Sequence, residues 1–236
     1  MKKQNIEFKI WKEKLKGSLF IPEGHGPFPG VVFYHGRGSS RKNYLPMAES
    51  LAQKGIMALA FDFRGCGESD GEFENQSHEM GVEDGKAALE FLIEQNVDKE
   101  RIGIQGTSFG GYITGMLLND VNFIKSVVLI VPAAYSDQAL GVKAAVEDEY
   151  FAKRGNWINS SSYLGLENFR GELLVIESEK DELLVQEEVE KYYNVATATL
   201  KRKLFIQKNA GHNLSDNPEA RSEFNKITVD WFLETL

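Results

Sequence analysis

A serine stands between two glycines in Gly106-Thr107-Ser108-Phe109-Gly110. A serine hydroxyl is a weak nucleophile at neutral pH. It attacks a carbonyl only when a base takes its proton and an acid orients that base. The stretch Arg101 to Gln105 reads as a strand and Phe109 to Leu118 as a helix, so Ser108 lies where one becomes the other. Such a turn holds its central residue in a strained conformation and lifts the side chain above the strand end, provided the residues two before and two after are small. Gly106 and Gly110 meet that need. The start of the helix also favours developing negative charge.

The base should be one of four histidines. His25 lies in a Pro/Gly-rich loop and reads as solvated, and His78 opens a helix as a cap or surface residue. His35 follows a strand but precedes the serine. His212, in "NAGHNLSD", follows the last strand on a glycine-containing loop. Sites in open parallel sheets form in loops after strand carboxyl ends, which favours His212. The acid should come from the loop between serine and histidine, "ESEKDELLV", where Glu177, Glu179, Asp181 and Glu182 are all candidates. Asp181 is favoured because Leu183 and Leu184 anchor the loop behind it and leave its carboxylate at the rim. Asp62 precedes the serine and reads as a brace for its own turn. An oxyanion on the substrate needs donors. The amide of Phe109 should be one and the amide of Arg37, in His35-Gly36-Arg37-Gly38, the other. The Arg37 side chain reads as solvated or as a partner for a substrate anion.

The elements that must position these groups alternate along the chain. Residues 5–21 suggest a hairpin. Val31–Tyr34, Ile56–Phe63, Arg101–Gln105, Ile124–Val131, Gly171–Ile176 and Lys203–Ile206 read as strands. Segments 43–54, 78–96, 109–118, 186–196 and 218–235 read as helices. Short continuous apolar runs mark strands buried on both faces, and the alternation predicts an α/β fold of about eight strands, mostly parallel, with the first pair antiparallel. Residues 133–170 fit no strand-helix unit and read as an insertion within a single domain spanning 1–236.

The bulk composition is that of an ordinary globular protein: 236 residues, 42% hydrophobic and 26% charged. A formal charge of −8 disfavours nucleic acid and anionic membranes as partners. One cysteine, Cys66, allows no internal disulfide and no zinc site built on several thiolates. The lysines near the N-terminus precede no apolar core, and no apolar stretch is long enough to span a bilayer, so the default location is cytoplasmic. No metal or other cofactor is called for. A homodimer is left open.

With these residues in view, the chain resembles the α/β-hydrolase superfamily, and within it the small bacterial serine esterases related to cinnamoyl/feruloyl esterases and dienelactone-hydrolase-like proteins. The resemblance rests on "VVFYHGRGSS", "ALAFDFRGCGESDGEFEN", "IGIQGTSFGGY", "VVLIVPAA", "LLVIESEKDELL" and "NAGHNLSD". It implies nucleophile, acid and base at Ser108, Asp181 and His212, oxyanion amides at Arg37 and Phe109, and hydrolysis of a small-molecule carboxylic ester. Thioesterase, acyltransferase and peptidase chemistry share this triad; a non-catalytic binding protein would not need all its parts. The resemblance further implies that 133–170 is a lid lined by Tyr135, Asp137, Tyr150, Phe151 and Trp157, with Glu147–Glu149 as a solvated helix face. Departures are Thr107, where many relatives have histidine, the absence of glycine in "IESEKDEL", and Cys66 packed where histidine is frequent.

Overall fold

The computed structural model describes residues 1–147, 157–213 and 217–236. Its strands are β1 (Lys2–Ile10), β2 (Glu13–Ile21), β3 (Phe28–Tyr34), β4 (Met57–Phe61), β5 (Val97–Thr107), β6 (Ile124–Ile130), β7 (Glu172–Ser178) and β8 (Lys201–Gln207). They form one sheet in the order β1-β2-β4-β3-β5-β6-β7-β8. β2 runs antiparallel to both β1 and β4, and all pairs from β4 to β8 are parallel. Parallel neighbours need crossovers, and the chain supplies them through α1 (Leu45–Gln53), α2 (His78–Ile93), α3 (Phe109–Leu117), α4 (Ser161–Asn168) and α5 (Gln186–Val195), while α6 (Pro218–Thr235) follows the last strand.

These helices cover both faces of the sheet. Met47 and Leu51 of α1 share one apolar core with Phe224 and Phe232 of α6. Leu89, Ile113, Tyr163 and Tyr192 of α2 to α5 build the other. Coverage on both sides explains why β4 is Met-Ala-Leu-Ala-Phe without one polar residue and is buried throughout.

Two strands are longer than the apolar runs suggest. β5 begins at Val97 because Asp98, Lys99 and Glu100 extend it past the core, and its register slips on both sides at this end. β8 begins at Lys201 because it is the edge strand, where charged residues face solvent. Among the described residues, the segment between β6 and β7 holds single turns at Asp137–Ala139 and Ala144–Val146, and α4.

Ion pairs anchor the turns at the carboxyl edge. Asp62, just past β4, accepts from the amides of Arg41 (2.7 Å) and Glu68 (3.0 Å) and pairs with the Arg41 guanidinium. Arg64 reaches Asp84 of α2 at 2.6 Å with both groups buried. Asp84 also accepts from the Arg64 amide at 2.8 Å. Removing one partner of a buried pair leaves the other charge uncompensated. Asp84→Ala should therefore destabilise the fold by about 3 kcal/mol or more, read as a lower urea midpoint at unchanged m; a loss under about 0.5 kcal/mol would mean that Arg64 is held by Glu83, Glu13 and the Met80 carbonyl, which it also bonds.

Candidate active site

Ser108 is the residue between β5 and α3, with φ 50° and ψ −114°. A non-glycine residue at positive φ persists only where its surroundings over-determine it. Here the Ser108 amide donates to Ile130 O at 2.9 Å, while its carbonyl accepts from Gly111 at 2.8 Å and Ala133 at 3.1 Å. The flanking glycines are required by close approach. A β-carbon at Gly110 would collide with the carbonyl oxygen of Tyr34, and one at Gly106 with that of Gly110.

His212, in the loop after β8, meets Ser108 Oγ through Nε2 at 3.0 Å and Asp181 Oδ2 through Nδ1 at 2.8 Å. A carboxylate only accepts, so Nδ1 carries the proton and Nε2 is left to accept from the serine hydroxyl. Asp181 Oδ1 is occupied by the amides of Leu183 and Leu184, both at 2.9 Å. Burial works to raise the Asp181 carboxyl, but His212 and these amides outweigh it and hold it below the usual value. The other acids of the loop have different tasks. Glu179 accepts from Lys208 and the Asn209 amide, and Glu182 from the His212 amide at 3.2 Å. Glu177 is buried at the end of β7, where burial, Glu190 and Asp181 all push it up.

The loop after β3 passes over the serine. A β-carbon placed at Gly36 would lie 3.6 Å from that of Ser108. His35 fixes this loop. Its Nε2 accepts from the Phe63 amide at 3.1 Å, so Nδ1–H donates to Gly36 O at 2.8 Å. Burial pushes the ring down to about 4 and so keeps it neutral. Arg37 follows on this loop. The Phe109 amide is the first of α3 and has no carbonyl one turn back to satisfy it.

Ser108 and His212 open into a cleft of about 660 Å³. Tyr135, Phe73 and Ala144 line one side, Tyr44, Met47 and Phe224 another, and Leu183 and Leu184 the rim. Of the residues expected to line a lid, Tyr135 is on the cleft wall. Asp137 and Trp157 do not. Asp137 accepts from the amide and hydroxyl of Ser161 at the start of α4, and Trp157 packs on the core beside Lys191. Tyr150, Phe151, Asp148 and Glu149 lie outside the described residues. Glu147 is not a solvated helix residue: it lies on the cleft wall and pairs with Arg37 at 2.7 Å. Arg37 is therefore neither solvated nor waiting for an anion. His78 is no surface residue either. It is fully buried, bonds Ala139 O at 2.9 Å and packs 4.2 Å from the Tyr135 ring. Cys66 is buried in its turn, and burial pushes its thiol up to about 11.

The profile of the prolyl oligopeptidase family matches residues 44–236. The chain belongs to that family. Its fold is the α/β-hydrolase fold. An esterase from Pyrococcus furiosus superposes with a TM-score of 0.71 at 25% identity, covering 98% of this chain and 91% of that one. In sequence the chain is 26% identical over 206 residues to YfhR of Salmonella typhi, covering 79% of this chain and 67% of that protein. It is 30% identical over 128 residues to esterase EstD of Thermotoga maritima, covering 51% and 31%. The chain spans about a third of the length of the first curated relatives it matches, 32% for each. Among the described residues no helix is long and apolar enough to cross a membrane.

This member of the prolyl oligopeptidase family has one further buried carboxyl near the Ser108 cleft. Glu188 of α5 accepts from the Ala134 amide at 2.7 Å. Burial raises it to about 7, with the charge of Asp181 adding to the shift and the Ala134 amide opposing it. A carboxyl raised in the folded state contributes stability below its ordinary value of 4.5, and that stability is lost as pH rises through about 7. Glu188→Gln keeps an acceptor for Ala134 without the charge. It should raise stability at pH 8 by on the order of 2 kcal/mol and flatten the decline between the two values, in denaturation curves taken across that range. A variant less stable than wild type at pH 8 would contradict this reading.

Proposed function

We propose that this hydrolase cleaves carboxylic esters of small or medium acyl groups through an acyl-enzyme on Ser108. The observation that carries the reading is the hydrogen-bonded chain Asp181–His212–Ser108, ending at a strained serine on the floor of the cleft. His212 Nε2 takes the hydroxyl proton as Ser108 Oγ attacks the ester carbonyl carbon. Asp181 keeps the Nδ1–H tautomer and stabilises the imidazolium that forms. The amides of Arg37 and Phe109 receive the oxyanion. His212 then protonates the leaving alcohol, and a water activated by the same ring attacks the acyl-enzyme and releases the acid.

Apolar side chains on several walls of the cleft suit an uncharged acyl group. A cap role for the insertion is supported by its described residues Tyr135, Ala144 and Glu147, which line the cleft. Esterases among the relatives and similar structures favour the ester reading. The family's description favours amide or peptide cleavage as the second reading.

Purified wild type and Ser108→Ala should be compared on p-nitrophenyl esters from acetate to decanoate, an acyl-thioester and an aminoacyl p-nitroanilide. The variant should lose about 10⁴-fold or more in kcat, as triad nucleophiles elsewhere do, and should lose labelling by a fluorophosphonate. Turnover near the wild-type rate in Ser108→Ala would overturn the assignment; a wild-type preference for the anilide would move the substrate class to amides.

A further inference from the structure

The two residues whose amides are assigned to the oxyanion also touch through their side chains. The Arg37 guanidinium carbon lies 4.7 Å from the centre of the Phe109 ring and 5.7 Å from that of Phe73. Its nitrogens are all engaged. Nε donates to Glu147 Oε2 at 2.7 Å, Nη1 to Gln76 Oε1 at 3.2 Å and Nη2 to Gln76 O at 3.0 Å. Gln76 is itself fixed: it is buried, and its amide nitrogen donates to Arg64 O at 2.9 Å. The Gln76 carbonyl also accepts from Ala144 at 2.9 Å, and Ser77 bridges to Lys143. Glu147 comes from the segment after β6, and its other oxygen lies 3.5 Å from His78 Nε2.

This cluster is poorly explained as a source of stability. Arg37 and Glu147 side chains are 13% and 14% exposed, and an ion pair withdrawn this far from water gives back in attraction little more than it loses in solvation. Nor does it suit an anchor for a substrate anion, since Glu147 already neutralises the guanidinium and would repel a second carboxylate. A planar guanidinium held in a fork and stacked on a ring does fix geometry. The two backbones it joins are those of the loop after β3 and the first turn of α3. Burial works to raise the Glu147 carboxyl, but His78 and Arg37 outweigh it and keep the carboxyl ionised for this task.

We propose that the Arg37 side chain, clamped by Glu147 and Gln76 against the Phe109 ring, sets the spacing of the two oxyanion-binding amides. Glu147 is then a positioning residue through which the segment after β6 governs the rate of acyl transfer. This rests on the ester-hydrolase reading above.

The test uses p-nitrophenyl acetate, which is uncharged and offers the Arg37 guanidinium no anion to bind, on wild type, Glu147→Gln, Arg37→Met, Arg37→Lys and the Arg37→Met/Glu147→Gln pair. Loss of a whole oxyanion donor costs about 10²–10³ in kcat, so misplacing one should cost about tenfold. Glu147→Gln and Arg37→Met should each lower kcat by about that factor with KM within about twofold, and the double variant should be no slower than Arg37→Met, because one clamp is being broken twice. Arg37→Lys keeps the charge but not the fork and should stay slow. The inhibition constant of phenylboronic acid, whose serine adduct is tetrahedral, should rise by the factor by which kcat/KM falls. If Arg37→Met fails to fold, Glu147→Gln and Arg37→Lys carry the same comparison. Wild-type kcat in the folded variants, or a raised KM at constant kcat, would overturn the inference while leaving the esterase reading intact. Turnover that survives Ser108→Ala would overturn both.

Discussion

The site depends on a lack of space. β3, β5 and the first turn of α3 approach so closely at Gly106 and Gly110 that no side chain fits between them. That closeness turns the chain within one residue and leaves Ser108 at φ 50°. A hydrogen bond to the Ile130 carbonyl and others from the Gly111 and Ala133 amides hold it there, so the strain is balanced by the two strands and one helix that meet at this point. Any relaxation of the turn would shift the hydroxyl from its 3.0 Å contact with His212. The central position of β3, β5 and β6, covered on both faces, is what prevents that relaxation.

Sheet order does the rest of the assembly. Because β3, β5, β6, β7 and β8 are parallel neighbours, the loops that follow them emerge at one edge. Residues as far apart as Arg37, Ser108, Asp181 and His212 therefore come together without any long-range contact designed for the purpose. The antiparallel hairpin β1-β2 lies at the other end of the sheet and supplies none of them.

Much of this was legible in the residues themselves. The glycines around Ser108, the order of serine, acid and histidine, and the apolar runs of β3, β4 and β6 are local signals, and each corresponds to a local constraint. What was not legible depends on partners distant in sequence. Glu147 sits in an acidic run that reads as a solvated face, yet it is matched by Arg37, 110 residues away. His78 opens a helix, where histidine is ordinarily exposed, but Tyr135 closes over it. Asp137 and Trp157 have the chemistry of pocket residues; the start of α4 claims one and Lys191 the other. The charged start of β5 hides a strand because alternation and apolarity fail together where a strand leaves the core. One signal was available for Arg37: an arginine between two glycines directly after a buried strand cannot easily reach open solvent if a loop folds over it.

The acidic loop shows why residue type alone does not say which carboxyl meets His212. Four carboxyls lie within six residues, and each is settled by what reaches it first. Glu179 and Glu182 accept backbone amides from the histidine loop and so fix the distance between the two loops. Glu177 points into the fold, where burial favours its neutral form. Asp181 alone has one oxygen satisfied by its own loop and the other directed at an imidazole. A carboxylate without those two amides would be free to rotate or to protonate, and either change would release the His212 tautomer. The apolar pair Leu183-Leu184 matters here less as packing than as the source of those amides: by turning the chain at the rim, it aims two donors at one oxygen and leaves a single direction for the other.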